Sequence, residues 1–561
     1  MRTSRRSRCL TGTLVLLGCV ACERLKPTDS GDTPGLDTVD SIADSVDSVD
    51  SIGETQPIET GDTGVHPDDL DGDGWVTPDD CDDTDPTVNP GATEICGDDV
   101  DEDCDGAADT CRYEGEIPLA GAELLLHGLP DTGVLSVSYR VGDLDGDGLA
   151  DVMAGAPEHQ RLEDDRIGTA YLFTDLAGRS GAYDPGIATA SFFSSDGGGV
   201  GGGVAGLGDT NRDGHLDLVF PGCDGTPGRV CVAYGPFSGE YDLAVSSDAM
   251  IWPDLDSAGD SLMQAAPASG DIDGDGASDL ALGSCNANWN AGLAYLFTGP
   301  LEGNLSHDDA RTAIYGSQAG SAGEWLGTNI DLADVDGDGV LDVLVGATDH
   351  DETRDCQGAS YVILAPPTGA LVADDDADVA LYGENSRDYA GFLTGPGDLD
   401  GDGYEDIWIA APFSDTMASY GGSAYLIQGG PGLADTRGTV TDHAYASFHG
   451  EQEEDTLSIS WPVGDVDGDG QTDAVLSANA YRREGHGHAY LLYGPISPGA
   501  RAGVEPDATF IGEDPGDEAG GTLSPGDLDG DGTDDLIIIA RGWDMFGTDV
   551  GANYVFFGGA P

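Results

Sequence analysis

Residues 143–151 read D-L-D-G-D-G-L-A-D, and the pattern D-x-[DN]-x-D-G-x-x-D recurs seven times in one series, starting at Asp143, Asp209, Asp271, Asp334, Asp398, Asp465 and Asp527. Successive starts lie 62 to 67 residues apart. A fixed period of that length marks one structural unit repeated along the chain from about residue 115 onward.

Each copy supplies side-chain oxygens at positions 1, 3, 5 and 9 and a glycine at position 6, where the chain must turn sharply around an ion. The candidate ligands are Asp143, Asp145, Asp147 and Asp151 in the first copy, and Asp209, Asn211, Asp213 and Asp217 in the second. The third and fourth copies offer Asp271, Asp273, Asp275 and Asp279, then Asp334, Asp336, Asp338 and Asp342. The last three offer Asp398, Asp400, Asp402 and Asp406, then Asp465, Asp467, Asp469 and Asp473, then Asp527, Asp529, Asp531 and Asp535. Hard oxygen donors alternating along a tight loop suit Ca²⁺, whereas zinc or copper would call for His or Cys. An EF-hand is excluded, because position 12 of the first copy is Ala154 and no helix signal follows. The second copy carries Arg212 inside its loop and one formal charge fewer, so it is expected to bind most weakly.

Short apolar runs follow every loop, such as 152–154, 343–345 and 536–539, and read as buried strands. A second signal, G-x-A-Y-L-F or a near variant, comes some 20 residues after each loop begins, and a third apolar run ending near Gly precedes the next loop. With the segment leading into the loop, the unit is four strands, the signature of a propeller blade.

These units resemble FG-GAP repeats, the blades of the seven-bladed β-propeller at the N-terminus of integrin α chains, and Gly155-Ala156-Pro157 keeps the name-giving tripeptide. The resemblance implies an all-β propeller over 115–561. It also implies Ca²⁺ in the loops between the two innermost strands of a blade and a ligand surface on the opposite side. The Phe-Gly half of the motif is poorly kept. The chain enters at a strand near 123–127 with no strands of its own before it, so this strand is expected to complete the last blade.

The formal net charge is −85, from 106 acidic against 21 basic residues, and Lys26 is the only lysine. Nucleic acid and anionic membrane surfaces are therefore poor partners. Arg2, Arg5, Arg6 and Arg8 precede an apolar stretch from Leu10 to Gly18, too short for a permanent membrane span. Leu16-Leu17-Gly18-Cys19 resembles the lipobox of bacterial lipoproteins, which implies a signal peptide over 1–18, lipidation at Cys19 with Cys22 as the second choice, and a membrane anchor. Either this or an ordinary secretory signal leads to export, into a compartment that permits disulfides. Outer membrane or cell surface is the expected location, with periplasm or secretion as alternatives.

Within 19–68, residues 23–65 are low-complexity Asp, Ser, Thr, Gly and Val without aromatics, so an acidic, disordered tether is expected, reaching about 35 Å as a flexible coil. Residues 69–111 form a Cys- and Asp-rich module. Asp69, Asp71, Asp73 and Asp80 offer one more cation loop, and Asp101, Asp103, Asp105 and Asp109 another. The stretch resembles the MopE-type metal-binding motif, otherwise associated with copper. The neighbourhood offers only His66 and four cysteines, so Ca²⁺ is the expected ion. Cys81, Cys96, Cys104 and Cys111 allow three pairings, left open here. Cys223 and Cys231 flank a turn and are expected to bridge one hairpin; a Cys285–Cys356 bridge is a further option.

No G-x-S-x-G, H-E-x-x-H or phosphate-binding glycine loop is present, and the expectation is a protein that is not an enzyme. Scarce basic and aromatic residues collect in the segments assigned to the face away from the cation loops: His159, Arg161, Arg166, Trp289, Arg354, Phe413, Tyr420, Tyr481, Arg482, Arg483, Arg541, Trp543 and Phe546. Arg and aromatics are the side chains that anchor interfaces. The function expected is adhesion or matrix binding, with an extracellular protein or polysaccharide as partner. A carbohydrate-active propeller (a lectin or a polysaccharide lyase) and a structural envelope spacer are the alternatives.

Overall fold

The computed structural model describes residues 70–71, 74–77, 80–82, 84–90 and 104, and 112–559 apart from 129–134, 136, 162–165, 198, 224–227, 253–265, 318–322, 365–366, 460–462, 479–484, 502, 524–525 and 544–549. The signal peptide, Cys19, the tether and most of the Cys- and Asp-rich module, including Asp69, Asp73, Asp101, Asp103, Asp105, Asp109, Cys96 and Cys111, lie outside the described residues. In the module, Cys81 and Cys104 form a disulfide, which selects among the three pairings.

From 115 onward the chain forms seven sheets, the seven blades of a β-propeller. We number them I to VII by the order of their Asp loops. Blade IV shows the pattern. Leu326–Ala333 leads into the loop, Asp342–Ala347 leaves it, and Ala359–Ile363 and Val379–Tyr382 complete an antiparallel meander. The leading strands of blades I to V lie against one another in succession at the inner rim, and that of blade VII meets that of blade I there.

A feature without a clear sequence signal is a fifth strand in every blade, added in parallel at the outer edge. Arg437–Thr439, which lies between the third and fourth strands of blade V, pairs with Val379–Tyr382 of blade IV. Each blade thus lends a strand to the one before it. The outer edges, which would otherwise expose unpaired backbone groups, are covered by this exchange.

Closure follows the same rule. Gly115–Pro118 is lent to blade VI, pairing with Ala508–Ile511, and Leu124–His127 then completes blade VII by pairing with Ala552–Phe556. The expected joining of early and late chain segments is therefore present, and it is double.

The apolar residues fill seven layers, one between each pair of adjacent blades. Val152 faces blade VII while Met153 faces blade II; Val343 faces blade III while Leu344 faces blade V. Side chains alternate across a strand, and here both faces are covered, which is why the strands read as unbroken apolar runs rather than alternating ones.

The FG-GAP glycines sit where neighbouring blades approach most closely. A Cβ on Gly346 would lie 1.8 Å from the carbonyl oxygen of Gly391 in the next blade, and one on Gly155 would lie 2.0 Å from that of Gly201. A side chain at either position would collide with backbone across the seam, so Gly155, which opens the name-giving tripeptide, and Gly346 are required there by backbone packing.

Candidate functional site

The Asp loops all fold alike because their own carboxylates satisfy the turn. Asp398 at position 1 accepts the N–H groups of Gly401 at 2.8 Å, Asp402 at 3.1 Å and Gly403 at 2.8 Å. Asp143 and Asp334 make the same three contacts. Position 3 accepts the N–H of position 5, and position 5 that of position 7, as in Asp336 with Asp338 and Asp338 with Val340.

Position 9 has a structural role in the loop. Asp473 is fully buried; its Oδ2 accepts the N–H of Val466 in the loop at 2.8 Å and its Oδ1 that of Gly494, just past the third strand, at 2.9 Å. Asp217, Asp279, Asp406 and Asp535 repeat this bridge. One buried carboxylate therefore ties the loop to the end of the third strand.

Burial, assisted by the loop carboxylates, pushes these groups up in the metal-free chain: Asp279 to about 6, Asp151, Asp406 and Asp473 to about 7, and Asp535 to about 8. Carboxylate oxygens of Asp143, Asp145 and Asp147 lie within 4.8 Å of one another, as do those of Asp271, Asp273 and Asp279, and of Asp334, Asp336 and Asp342. Asp151 Oδ1 and Asp465 Oδ1 are buried without a hydrogen-bond partner among the described residues. Converging carboxylates with uncompensated buried oxygens are a donor set that fits a divalent cation.

Three arginines alter this picture in ways that local sequence hides. Arg212, at φ 64°, turns away from its own loop and pairs with Asp275 in the loop of blade III. Arg311 Nη1 lies 3.0 Å from Asp273 in that same loop. Arg112 sets its Nε 2.5 Å from Asp467 and its Nη2 3.0 Å from Asp469, placing a guanidinium over the loop of blade VI. Arg212 thus directs its charge to the loop of blade III rather than to its own.

On the far side, strand direction places the ends of the loop-leaving strands opposite the Asp loops. Phe413, just past Ile407–Ala411, meets Tyr389 at 5.5 Å and Tyr420 at 6.1 Å between ring centroids, both edge to face. Met417 beside them is 49% exposed. Arg354 is exposed and donates to Asn385 at 3.2 Å. Trp543 does not belong to this surface: it is 2% exposed and packed in the layer between blades VI and VII. Tyr481, Arg482, Arg483 and Phe546 lie outside the described residues, as do the side chains of His159, Arg161, Arg166 and Trp289. Cys223 and Cys231 form the expected bridge, whereas Cys356 is a free thiol, so the Cys285–Cys356 bridge is not made.

Comparison with known proteins agrees with the geometry. The FG-GAP repeat family matches residues 140–173, 326–363, 390–427 and 519–556, within blades I, IV, V and VII. A family described as "Putative metal-binding motif", of the MopE type, matches residues 80–110. Integrin alpha pat-2 of Caenorhabditis briggsae is 27% identical over 264 residues, 45% of this chain and 20% of the relative. Integrin alpha-PS2 of Drosophila melanogaster is 28% identical over 234 residues, 39% of this chain and 16% of the relative. The match thus spans a fifth or less of these relatives' own length. The WD40 domain of Toxoplasma gondii coronin superposes at a TM-score of 0.43 with 10% identity, over 79% of this chain and 88% of that one. The chain carries FG-GAP repeats and a MopE-like metal-binding motif, forms a seven-bladed β-propeller, and has integrin α chains among the proteins it resembles.

Proposed function

We propose that this is an exported, membrane-tethered, Ca²⁺-binding surface protein that engages an extracellular protein or polysaccharide through the propeller face opposite its Asp loops. The observation that carries this reading is the division of chemistry between the two faces. Carboxylates converge on one, and the Tyr389, Phe413 and Tyr420 cluster with exposed Met417 lies on the other. Adaptable apolar and aromatic side chains on a rigid scaffold are suited to an interface.

Ca²⁺ is favoured in the loops because every side-chain donor is an oxygen and Ca²⁺ accepts variable numbers and arrangements of oxygen ligands. Two unit charges 4 Å apart repel by about 4 kcal/mol at an effective dielectric near 20, so empty loops oppose folding and filled loops favour it. The cations then serve the scaffold, and the opposite face serves the ligand. Lipidation at Cys19, about seven Ca²⁺ sites in the propeller and up to two more in the 69–111 module belong to the same proposal.

The experiment is binding of purified protein to glycan and matrix-protein arrays, with a polysaccharide-cleavage assay alongside, each with and without Ca²⁺. Retained binding without cleavage, lost on Phe413→Ala and Met417→Asp but not on loop variants that stay folded, supports the proposal. Cleavage of a polysaccharide, or loss of binding only in folded loop variants, overturns it.

A further inference from the structure

A second kind of polar cluster lies at the seam between blades III and IV, on the side away from the Asp loops. Its three members come from separate elements. Glu324 precedes Leu326–Ala333, His350 follows Asp342–Ala347, and Asp374 sits in the single helical turn Ala373–Asp376 that follows Gly369–Val372, the strand lent to blade III. Glu324 is 4% and His350 2% exposed, while the Asp374 side chain keeps 22%.

One ligand atom from each residue lies within 4.8 Å of the other two. His350 Nδ1 is 3.6 Å from Glu324 Oε1, and His350 Nε2 is 3.9 Å from Asp374 Oδ1. Both separations exceed hydrogen-bond length, and the imidazole lies between the two carboxylates with one ring nitrogen turned to each. Nε2 is buried and has no hydrogen-bond partner among the described residues.

The surroundings hold the set in place. The Tyr361 hydroxyl donates to Asp374 at 2.9 Å and lies 3.3 Å from His350 Nδ1, and the Tyr382 ring stacks on the imidazole at 5.5 Å. Ser317 donates to Glu324. Arg437 is the nearby cation, but its guanidinium donates to the backbone carbonyls of Asp374 and Ala377, not to the carboxylate.

The repeat itself supplies a control. In blade V, Ser414 takes the place of His350: each donates its N–H to the second strand's final residue (Ala347 or Ala411), and each accepts from a glycine opening the third strand (Gly358 or Gly422). Tyr425 stands for Tyr361 and Asp388 for Glu324. Blade IV has thus placed an imidazole on a frame that folds without one.

We propose that Glu324, His350 and Asp374 form a binding site for a transition-metal dication of the Zn²⁺ class, distinct from the oxygen-only loops, with the partly exposed Asp374 side leaving a coordination position open to solvent. An imidazole beside two carboxylates selects such an ion over Ca²⁺ or Mg²⁺. The inference is independent of the identity of the ion in the Asp loops.

The test uses full-length protein saturated with Ca²⁺, so that the loops are filled, titrated with Zn²⁺ and separately with Co²⁺. Calorimetry and metal analysis should find one tightly held Zn²⁺ per chain, and Co²⁺ should give the visible d–d bands of a low-symmetry site with a nitrogen ligand. His350→Ser, which installs the residue of blade V, should lose that equivalent or weaken it at least 100-fold. Should that variant not fold, Asp374→Asn at the exposed edge should weaken Zn²⁺ at least 10-fold without moving the Ca²⁺-loaded melt. Equal Zn²⁺ uptake by wild type and His350→Ser, or by wild type and Asp374→Asn where the first cannot be read, overturns the proposal.

Discussion

The guanidinium of Arg212, which belongs to the loop of blade II, pairs with the carboxylate of Asp275 in the loop of blade III. A cation entering the third loop must therefore displace a resident positive charge, and Arg311 on Asp273 adds a second. Arg212→Ala should strengthen cation binding at blade III severalfold and leave the Asn211 loop of blade II little changed. Site-resolved titration by NMR or by lanthanide luminescence checks this, and a gain confined to blade II would contradict the pairing.

The ninth-position carboxylates should matter even without an ion. Asp473→Ala strands two backbone N–H groups, those of Val466 and Gly494, and should cost about 2–4 kcal/mol in excess chelator. Asp402→Ala, at an exposed position 5, should cost well under half as much under the same conditions and show its main effect only when cation is present. Denaturant melts of both variants with and without Ca²⁺ decide it; equal costs in chelator would remove the structural role of position 9.

Stability should depend on pH with opposite sign in the two metal states. Burial raises Asp279 to about 6, Asp151, Asp406 and Asp473 to about 7 and Asp535 to about 8, all above the unfolded value near 4. A carboxylate raised in the folded state contributes stability that is full below the unfolded value and is lost as pH rises through the folded one. Metal-free protein should thus melt higher at pH 5 than at pH 8. Ca²⁺-loaded protein should melt lower at pH 5, because protons compete with the ion for the same oxygens. Parallel melting curves in the two states would refute the assignment of these groups as ligands.

Closure of the ring rests on two early segments rather than one. Leu124 pairs with Val555 and Gly115 with Ala508, so deleting residues 115–128 uncovers the outer edges of blades VI and VII together. That truncation should aggregate or lose most of its cooperative melt, and deletion of residues 115–118 alone should give an intermediate result. Light scattering and calorimetry on the two truncations test this, and a soluble double truncation with an unchanged melt would argue against closure.

Much of this architecture was legible from local pattern. The seven Asp loops, the apolar runs after them and the G-x-A-Y-L-F strands are each specified within about 30 residues, because a nine-residue loop satisfies its own backbone and a five-residue strand is recognised by composition alone. The closing of the ring followed from counting strands at its two ends. Even Cys223–Cys231 was readable, being a neighbour in sequence as well as in space.

What tertiary structure alone decided are the relationships between residues far apart in the chain. The lent fifth strands carry little signal of their own, since Gly239–Asp242 and Arg437–Thr439 are short and polar and become strands only against the edge of another blade. Trp543 looked like an exposed anchor because an aromatic beside a turn is equally at home on a surface or in a layer between blades, and only the packing of blades VI and VII chooses. Arg212 and Arg112 could be assigned no partner, and His350 no neighbours, until the ring brought Asp275, Asp467 and the Glu324 and Asp374 carboxylates to them. Repeat period and loop chemistry are local free-energy preferences written in consecutive residues, whereas ion pairs and seams between blades exist only after long-range closure has set the distances.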